Sequence, residues 1–116
     1  MLVVFRFAID GDATGFVGEA HEAMAALAER PGYLRGELAR AYDDPAEWCL
    51  LTEWSSVGAY RRALGSYEVK TRATPLLARA TPAASAFEVL ATAAPGGPVT
   101  PVTSDRAEST QIPSRP

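Results

Sequence analysis

Apolar and polar side chains alternate along the first segment of the chain. On one face of an extended segment from Leu2 to Ile9 lie Val3, Phe5, Phe7 and Ile9. A period of two is typical of a strand that buries one face, so this segment is predicted to be the first strand.

After Asp10-Gly11-Asp12 the apolar residues recur at helical spacing instead. One stripe holds Phe16, Ala20, Ala23, Met24 and Leu27. This stripe predicts an amphipathic helix over residues 14–30, for which Asp12 or Thr14 is the expected cap. Pro31-Gly32 then ends the helix, because proline cannot continue it and glycine adopts the reversing backbone angles.

Two further strands and a broken helix follow. Strands are predicted over residues 33–42 and 47–54, joined as a hairpin by the turn Asp43-Asp44-Pro45. Ser55-Ser56 can cap a second helix with an apolar side at Val57, Tyr60 and Leu64, and Ser66 can cap a further helical piece over 67–73. The last strand is expected over residues 84–92.

The predicted element order is β-α-β-β-α-β, which is the ferredoxin-like arrangement with an antiparallel sheet in an α+β protein. We expect one such domain over residues 1–92. Five of the nine prolines fall in residues 93–116, together with many glycine, serine and threonine residues. That composition predicts a tail that is mobile or packs on a partner subunit.

The strand faces predict self-association. Alternation places on the helix-covered face Phe5, Phe7, Leu34, Leu38, Trp48, Leu50, Trp54, Phe87 and Val89. It places on the other face Leu2, Val4, Tyr33, Cys49, Leu51 and Leu90, mixed with arginine and glutamate. A second copy packed on that face would remove its aliphatic area from water. The alternative is an ordinary half-polar sheet surface.

Composition excludes several classes of function. The formal net charge of −3 argues against nucleic acid as a partner, and no apolar run is long enough to span a membrane. His21 is the only histidine and Cys49 the only cysteine, so we expect no histidine- or cysteine-based metal site and no internal disulfide. We expect a cytoplasmic protein.

The residues that remain for chemistry are aromatic. Trp54 ends the third strand, and Tyr60 lies early in the following helix. Both are expected to border an apolar cavity between sheet and helices, with Phe5, Phe7 and Trp48 as walls and Thr52 as a polar edge. The alternative is that these aromatic residues only form the core.

Two segments resemble the antibiotic-biosynthesis monooxygenase family. They are Pro31-Gly32-Tyr33-Leu34 and Trp54-Ser55-Ser56-Val57-Gly58-Ala59-Tyr60. The resemblance covers roughly residues 1 to 92 and implies a dimeric α+β barrel. It also implies cofactor-independent oxidation of an aromatic or quinol-like, polyketide-type molecule, in which the substrate loses a proton and its anion reacts directly with oxygen.

The resemblance also assigns roles to residues. Trp54 and Tyr60 stand where polyketide-oxidising members line their pocket, so they are the candidate catalytic residues. Those members also carry an asparagine in the third strand and a tyrosine in the second, where Leu50 and Leu38 stand here. Two alternatives to the oxygenase remain: a non-catalytic dimer that binds a small ligand, and a cyclase or isomerase on the same fold.

Overall fold

The computed structural model describes residues 1–104 and residue 106. Its main elements follow the predicted order: β1 (Leu2–Ala8), α1 (Thr14–Ala28), β2 (Tyr33–Arg40), β3 (Glu47–Trp54), α2 (Val57–Leu64), α3 (Tyr67–Arg72), α4 (Thr74–Leu77) and β4 (Ala86–Phe87). These four strands form one antiparallel sheet in the order β2-β3-β1-β4. The predicted ferredoxin-like α+β fold is therefore confirmed.

The register of β1, β3 and β2 sets which side chains share the helix-covered face. Val3 pairs with Thr52, Phe5 with Leu50, and Phe7 with Trp48. On the other side of β3, Leu38 pairs with Leu50. The buried core on this face combines residues of β1, β3 and the helices, and its largest fully buried side chains are Trp54, Phe7, Leu50, Val3 and Val69.

Helix boundaries follow from local chemistry. The Ser56 hydroxyl accepts the Ala59 amide N–H at 3.0 Å, and the Ser66 hydroxyl accepts that of Val69 at 3.3 Å. Both caps were predicted, and they explain why α2 and α3 are separate helices. At α1 the cap position is Ala13, and no side chain caps the helix. The Asp12 carboxylate instead accepts hydrogen bonds from the backbone N–H and the hydroxyl of Thr14.

The last predicted strand is wrong in extent. Only Ala86–Phe87 joins the sheet as a strand. Phe87 already pairs with Leu2, where β1 begins, so the later residues of the predicted strand have no partner on that edge. Phe87 pairs with Leu2, which places it on the outer face rather than under the helices, and it is 47% exposed.

Residues beyond β4 form a small hairpin. Strands β5 (Ala91–Thr92) and β6 (Thr100–Pro101) pair antiparallel, and the Val102 amide N–H donates to the Leu90 carbonyl. The compositional boundary at residue 92 thus falls inside this hairpin. The rest of the predicted tail, residue 105 and residues 107–116, lies outside the described residues.

The outer face of the sheet carries an apolar stripe between ion pairs. Leu2, Val4, Cys49 and Leu51 are only half-buried within this chain. Arg6 pairs with Glu47 and Arg35 with Glu53, each at 2.8 Å, across neighbouring strands. Most of the charge on this face is therefore neutralised within the chain itself. Across residues 1–104 and 106, no helix is long and apolar enough to cross a membrane.

Candidate functional site

Trp54 lies at the end of β3 on the helix-covered face and is 1% exposed. Its indole N–H donates to the Thr52 hydroxyl at 2.8 Å, which satisfies the buried polar groups of both residues. Thr52 is the buried polar residue of this core. The Trp54 N–H already donates to Thr52 and is not free to bind another molecule. Only the face of the indole ring is left for other contacts.

Tyr60, on α2, packs against Trp54 with ring centroids 5.5 Å apart and planes tilted by 53°. The residue is 8% exposed. Its hydroxyl has no hydrogen-bond partner among residues 1–104 and 106, yet it is not one of the fully buried unpaired polar atoms, which in this range are Arg30 Nε and Trp48 Nε1. The Tyr60 oxygen therefore reaches solvent while its ring is buried.

Tyr33 is a member of this site that sequence alternation missed. Alternation placed it on the outer face and Leu34 under the helices. A register irregularity between Tyr33 and Arg35 reverses the two, so Leu34 is 57% exposed and Tyr33 packs edge-on against Trp54 at 5.4 Å. A bulge adds one residue and turns the side chains before it to the other face. We define Trp54, Thr52, Tyr60 and Tyr33 as the Trp54 cluster.

Two small residues hold the Trp54 cluster together. Gly32, with a positive φ of 89°, precedes Tyr33, and Ala59 precedes Tyr60. A Cβ atom at Gly32 would collide with the Ala59 side chain and come within 2.9 Å of the Ser55 hydroxyl. Strand β2 and helix α2 can therefore approach closely here, which brings both tyrosines onto Trp54.

Burial acts on the protonation of both phenols. Desolvation raises the pKa of Tyr60 and that of Tyr33, because the charged phenolate is disfavoured away from water. At neutral pH both hydroxyls are protonated and can donate a hydrogen bond to an oxygen of a bound molecule.

The other predicted site residues lie along the same face but form a second group. Phe16 of α1 contacts Phe7 at 5.1 Å and Trp48 at 5.4 Å, and the Arg40 guanidinium lies 5.2 Å from the Trp48 ring centre. Leu50 is buried between the two groups, and Leu38 and Phe5 pack against the core. Phe7 is fully buried and fills its part of the predicted cavity, while Trp48 is only half-buried.

Two clefts touch predicted site residues at their walls. One of about 500 Å³ lies between β1 and the connection before β4, with Phe5, Leu77 and Phe87 among its lining residues. The other, of about 310 Å³, is bordered by Trp48 and by outer-face residues such as Val4 and Cys49. Neither cleft has Trp54 or Tyr60 in its wall. Within the described part of the chain, no group of three or more histidine, cysteine or acidic residues could hold a metal ion.

An antiparallel sheet in the order β2-β3-β1-β4, covered on one face by helices over an aromatic core, defines the chain as a ferredoxin-like α+β protein. The family model described as antibiotic biosynthesis monooxygenase matches residues 1–73. The chain therefore belongs to the antibiotic biosynthesis monooxygenase family, as its resemblance to that family predicted.

Solved structures agree with this assignment. The chain is 30% identical to SnoaB, a cofactor-independent oxygenase from Streptomyces nogalater, with a TM-score of 0.60 over 69% of this chain and 82% of SnoaB. An asparagine-to-alanine variant of SnoaB matches with a TM-score of 0.61 at the same identity and coverage. A conserved protein from Methanosarcina mazei Go1, 16% identical, shares the fold with a TM-score of 0.60 over 73% of this chain and 84% of its own. No curated protein sequence matches the chain significantly.

Proposed function

We propose that this protein is a cofactor-independent monooxygenase that oxidises an aromatic or quinol-like, polyketide-type small molecule at the Trp54 cluster. One observation carries the proposal. Trp54 and Tyr60 are in ring contact at 5.5 Å in a chain 30% identical to a cofactor-independent oxygenase. Membership of the monooxygenase family supports the same class of reaction.

The reaction needs little from the protein beyond binding and charge stabilisation. A ring-activated CH₂ loses a proton, and the resulting anion forms a C–O bond with molecular oxygen. Protonation and loss of water then leave a carbonyl group, so one oxygen atom enters the product and the other becomes water. The substrate supplies all four electrons. A neutral Tyr60 hydroxyl would donate to the substrate oxygen on which negative charge develops, and the Trp54 ring would pack against the aromatic system.

Side chains of the Trp54 cluster would have to move to admit such a substrate. Trp54 and Tyr60 are 1% and 8% exposed, and a flat aromatic molecule cannot contact both rings in this packing. Tyr33 is the half-buried ring of the cluster, and it lies on β2, the strand at the edge of the sheet. We therefore propose that substrate enters on the Tyr33 side.

Oxygen uptake with an anthrone-type phenol tests the proposed reaction. We expect Tyr60→Phe to lower kcat about tenfold or more, because it removes a donor to the developing charge and keeps the ring. Trp54→Phe is preferred to Trp54→Ala, since emptying a core position of this size costs about 3–5 kcal/mol of stability. Tyr67→Phe, at a residue 77% exposed on α3, is the matched control. Uptake that is equal in wild type, Tyr60→Phe and Trp54→Phe would contradict the proposal.

The second candidate is a non-catalytic dimer that binds a small ligand. It is favoured by the aliphatic residues Leu50 and Leu38, which offer no polar group to a reacting molecule, and by the Trp54 N–H that Thr52 already satisfies. Ligand binding without oxygen uptake would support this candidate. A cyclase or isomerase would instead convert its substrate equally well under argon.

We also propose that the protein works as a homodimer in the cytoplasm. The half-buried stripe of Leu2, Val4, Cys49 and Leu51 would pack against its copy, and the β5–β6 hairpin, with Leu90 53% exposed, would reach the partner subunit. The ion pairs on that face are complete within one chain, so a partner need not supply counter-charges. A single free thiol at Cys49 suits a reducing compartment.

A further inference from the structure

The Trp54 cluster contains two phenols on two different elements. Tyr60 approaches Trp54 from α2 and Tyr33 approaches it from β2, at centroid distances of 5.5 and 5.4 Å. Neither hydroxyl has a hydrogen-bond partner among residues 1–104 and 106, and neither is a fully buried unpaired atom. Each oxygen therefore keeps some contact with solvent and an unused donor, unlike the Trp54 N–H, and becomes available to a ligand once the side chains of the cluster move.

The Tyr33 hydroxyl occupies space that is free because residue 36 is a glycine. Gly36 lies on β2 opposite Thr52, and a Cβ atom there would collide with the Tyr33 hydroxyl. The same Cβ atom would lie 3.3 Å from the Thr52 methyl group and 3.3 Å from the Leu51 carbonyl oxygen. The Tyr33 ring thus lies back along its own strand, over Gly36, with its hydroxyl beside the Thr52 position.

We propose that Tyr33 is a second substrate-binding residue, and that the site selects aromatic molecules carrying two acceptor oxygens. The inference rests on the proposed function, since it concerns the same site. One oxygen of the substrate accepts from Tyr60 and the other from Tyr33, the two phenols whose rings contact Trp54. A quinone, or a quinol anion with a second ring oxygen, fits this pair of donors better than a molecule with one oxygen.

Binding under argon tests the inference without any need for turnover. The ligands are anthraquinone, which has two carbonyl oxygens, and anthrone, which has one, with Trp fluorescence or calorimetry as the readout. A neutral hydrogen bond contributes about 0.5–1.5 kcal/mol, so its loss weakens binding roughly two- to twelvefold. We expect Tyr33→Phe to weaken anthraquinone binding by that factor and to leave anthrone binding nearly unchanged. Tyr60→Phe should weaken the binding of both ligands.

Gly36→Ala gives an independent check, because it displaces the Tyr33 hydroxyl without removing it. We expect the same selective loss of anthraquinone binding as with Tyr33→Phe. Thermal unfolding is measured alongside, and Tyr67→Phe is the control for both ligands. If Gly36→Ala fails to fold, Tyr33→Phe alone decides, since it keeps the ring and the backbone.

The outcomes separate this inference from the proposed oxygenase. In one outcome, Tyr33→Phe loses affinity for anthraquinone but not for anthrone, and the wild-type protein takes up no oxygen. This outcome would support the role of Tyr33 and overturn the proposed oxygenase activity. Normal uptake with unchanged anthraquinone affinity in Tyr33→Phe would overturn the role of Tyr33 and leave the oxygenase standing. Absence of binding of either ligand to wild type would overturn the inference as well.

Discussion

Burial of Tyr33 and Tyr60 makes their protonation part of the folding equilibrium. Each pKa is raised from an ordinary value of about 10, because the folded chain disfavours phenolate. Below pH 10 the phenols are neutral in both states and their contribution to stability is fully present. Above that pH the unfolded chain loses protons first, so stability falls as the pH rises toward the folded-state values.

We expect part of the tyrosinate absorbance of the folded protein to appear at higher pH than in the same chain unfolded in urea. Tyr60→Phe should remove a portion of this late-titrating absorbance and reduce the loss of stability above pH 10. Near-ultraviolet titration and urea unfolding at several alkaline pH values measure the two effects. Coincident titrations of the folded and unfolded chains would show that burial does not shift these groups.

Single residues also show where sequence reasoning succeeds and where it fails. Trp54 and Tyr60 were predicted to border one cavity, from their positions at a strand end and in an early helical turn. Their rings are in contact, but neither residue lines either of the two clefts described above, and their role in catalysis stays a prediction. Tyr33 was assigned to the wrong face because strict alternation has no means of anticipating a bulge. A hint was present in Gly36, since a glycine inside a strand often marks a close approach by another group.

Among the elements, the helices and the β2–β3 hairpin were predictable because their signals are local. Serine caps and turn residues act within a few positions, and Ser56 and Ser66 cap as expected. Strand β4 was not predictable in extent, because its length depends on the register of its pairing with β1. Phe87 pairs with Leu2, where β1 begins, and no local pattern reports a register between segments about 85 residues apart.

The cap of α2 offers a matched pair of substitutions. Ser56→Ala removes the acceptor for the Ala59 N–H and should destabilise the protein by about 1 kcal/mol. Ser55→Ala, one residue earlier at an exposed position outside the cap, should cost clearly less. Free energies of unfolding in urea provide the comparison. Equal losses in the two variants would mean that the Ser56 hydroxyl does not stabilise α2.

At the scale of the whole molecule, the proposed homodimer depends on the outer face of the sheet, which would form the interface. Buried apolar area contributes about 25 cal/mol per Å², and a stable interface commonly takes about 800 Å² from each partner. The stripe of Leu2, Val4, Cys49 and Leu51 lies at the centre of that face, on the two middle strands β1 and β3. A charge placed there would be buried without a partner.

We therefore expect the wild-type protein to run as a dimer and Leu51→Lys to run as a monomer in light scattering coupled to gel filtration. Tyr67→Lys, on a helix remote from the outer face, should remain dimeric. A wild-type protein that is monomeric at micromolar concentration would remove the basis for this interface. It would leave the fold and the family membership unaffected.

The contact between Gly32 and Ala59 has a consequence for how this protein can change. Gly32 directly precedes Tyr33 and Ala59 directly precedes Tyr60. The distance between the two tyrosines therefore depends on the absence of a side chain at residue 32 and on the small side chain at residue 59. Larger residues at position 32 or 59 would push strand β2 and helix α2 apart. A laboratory library aimed at new substrates would therefore keep both positions fixed and vary the rings around them.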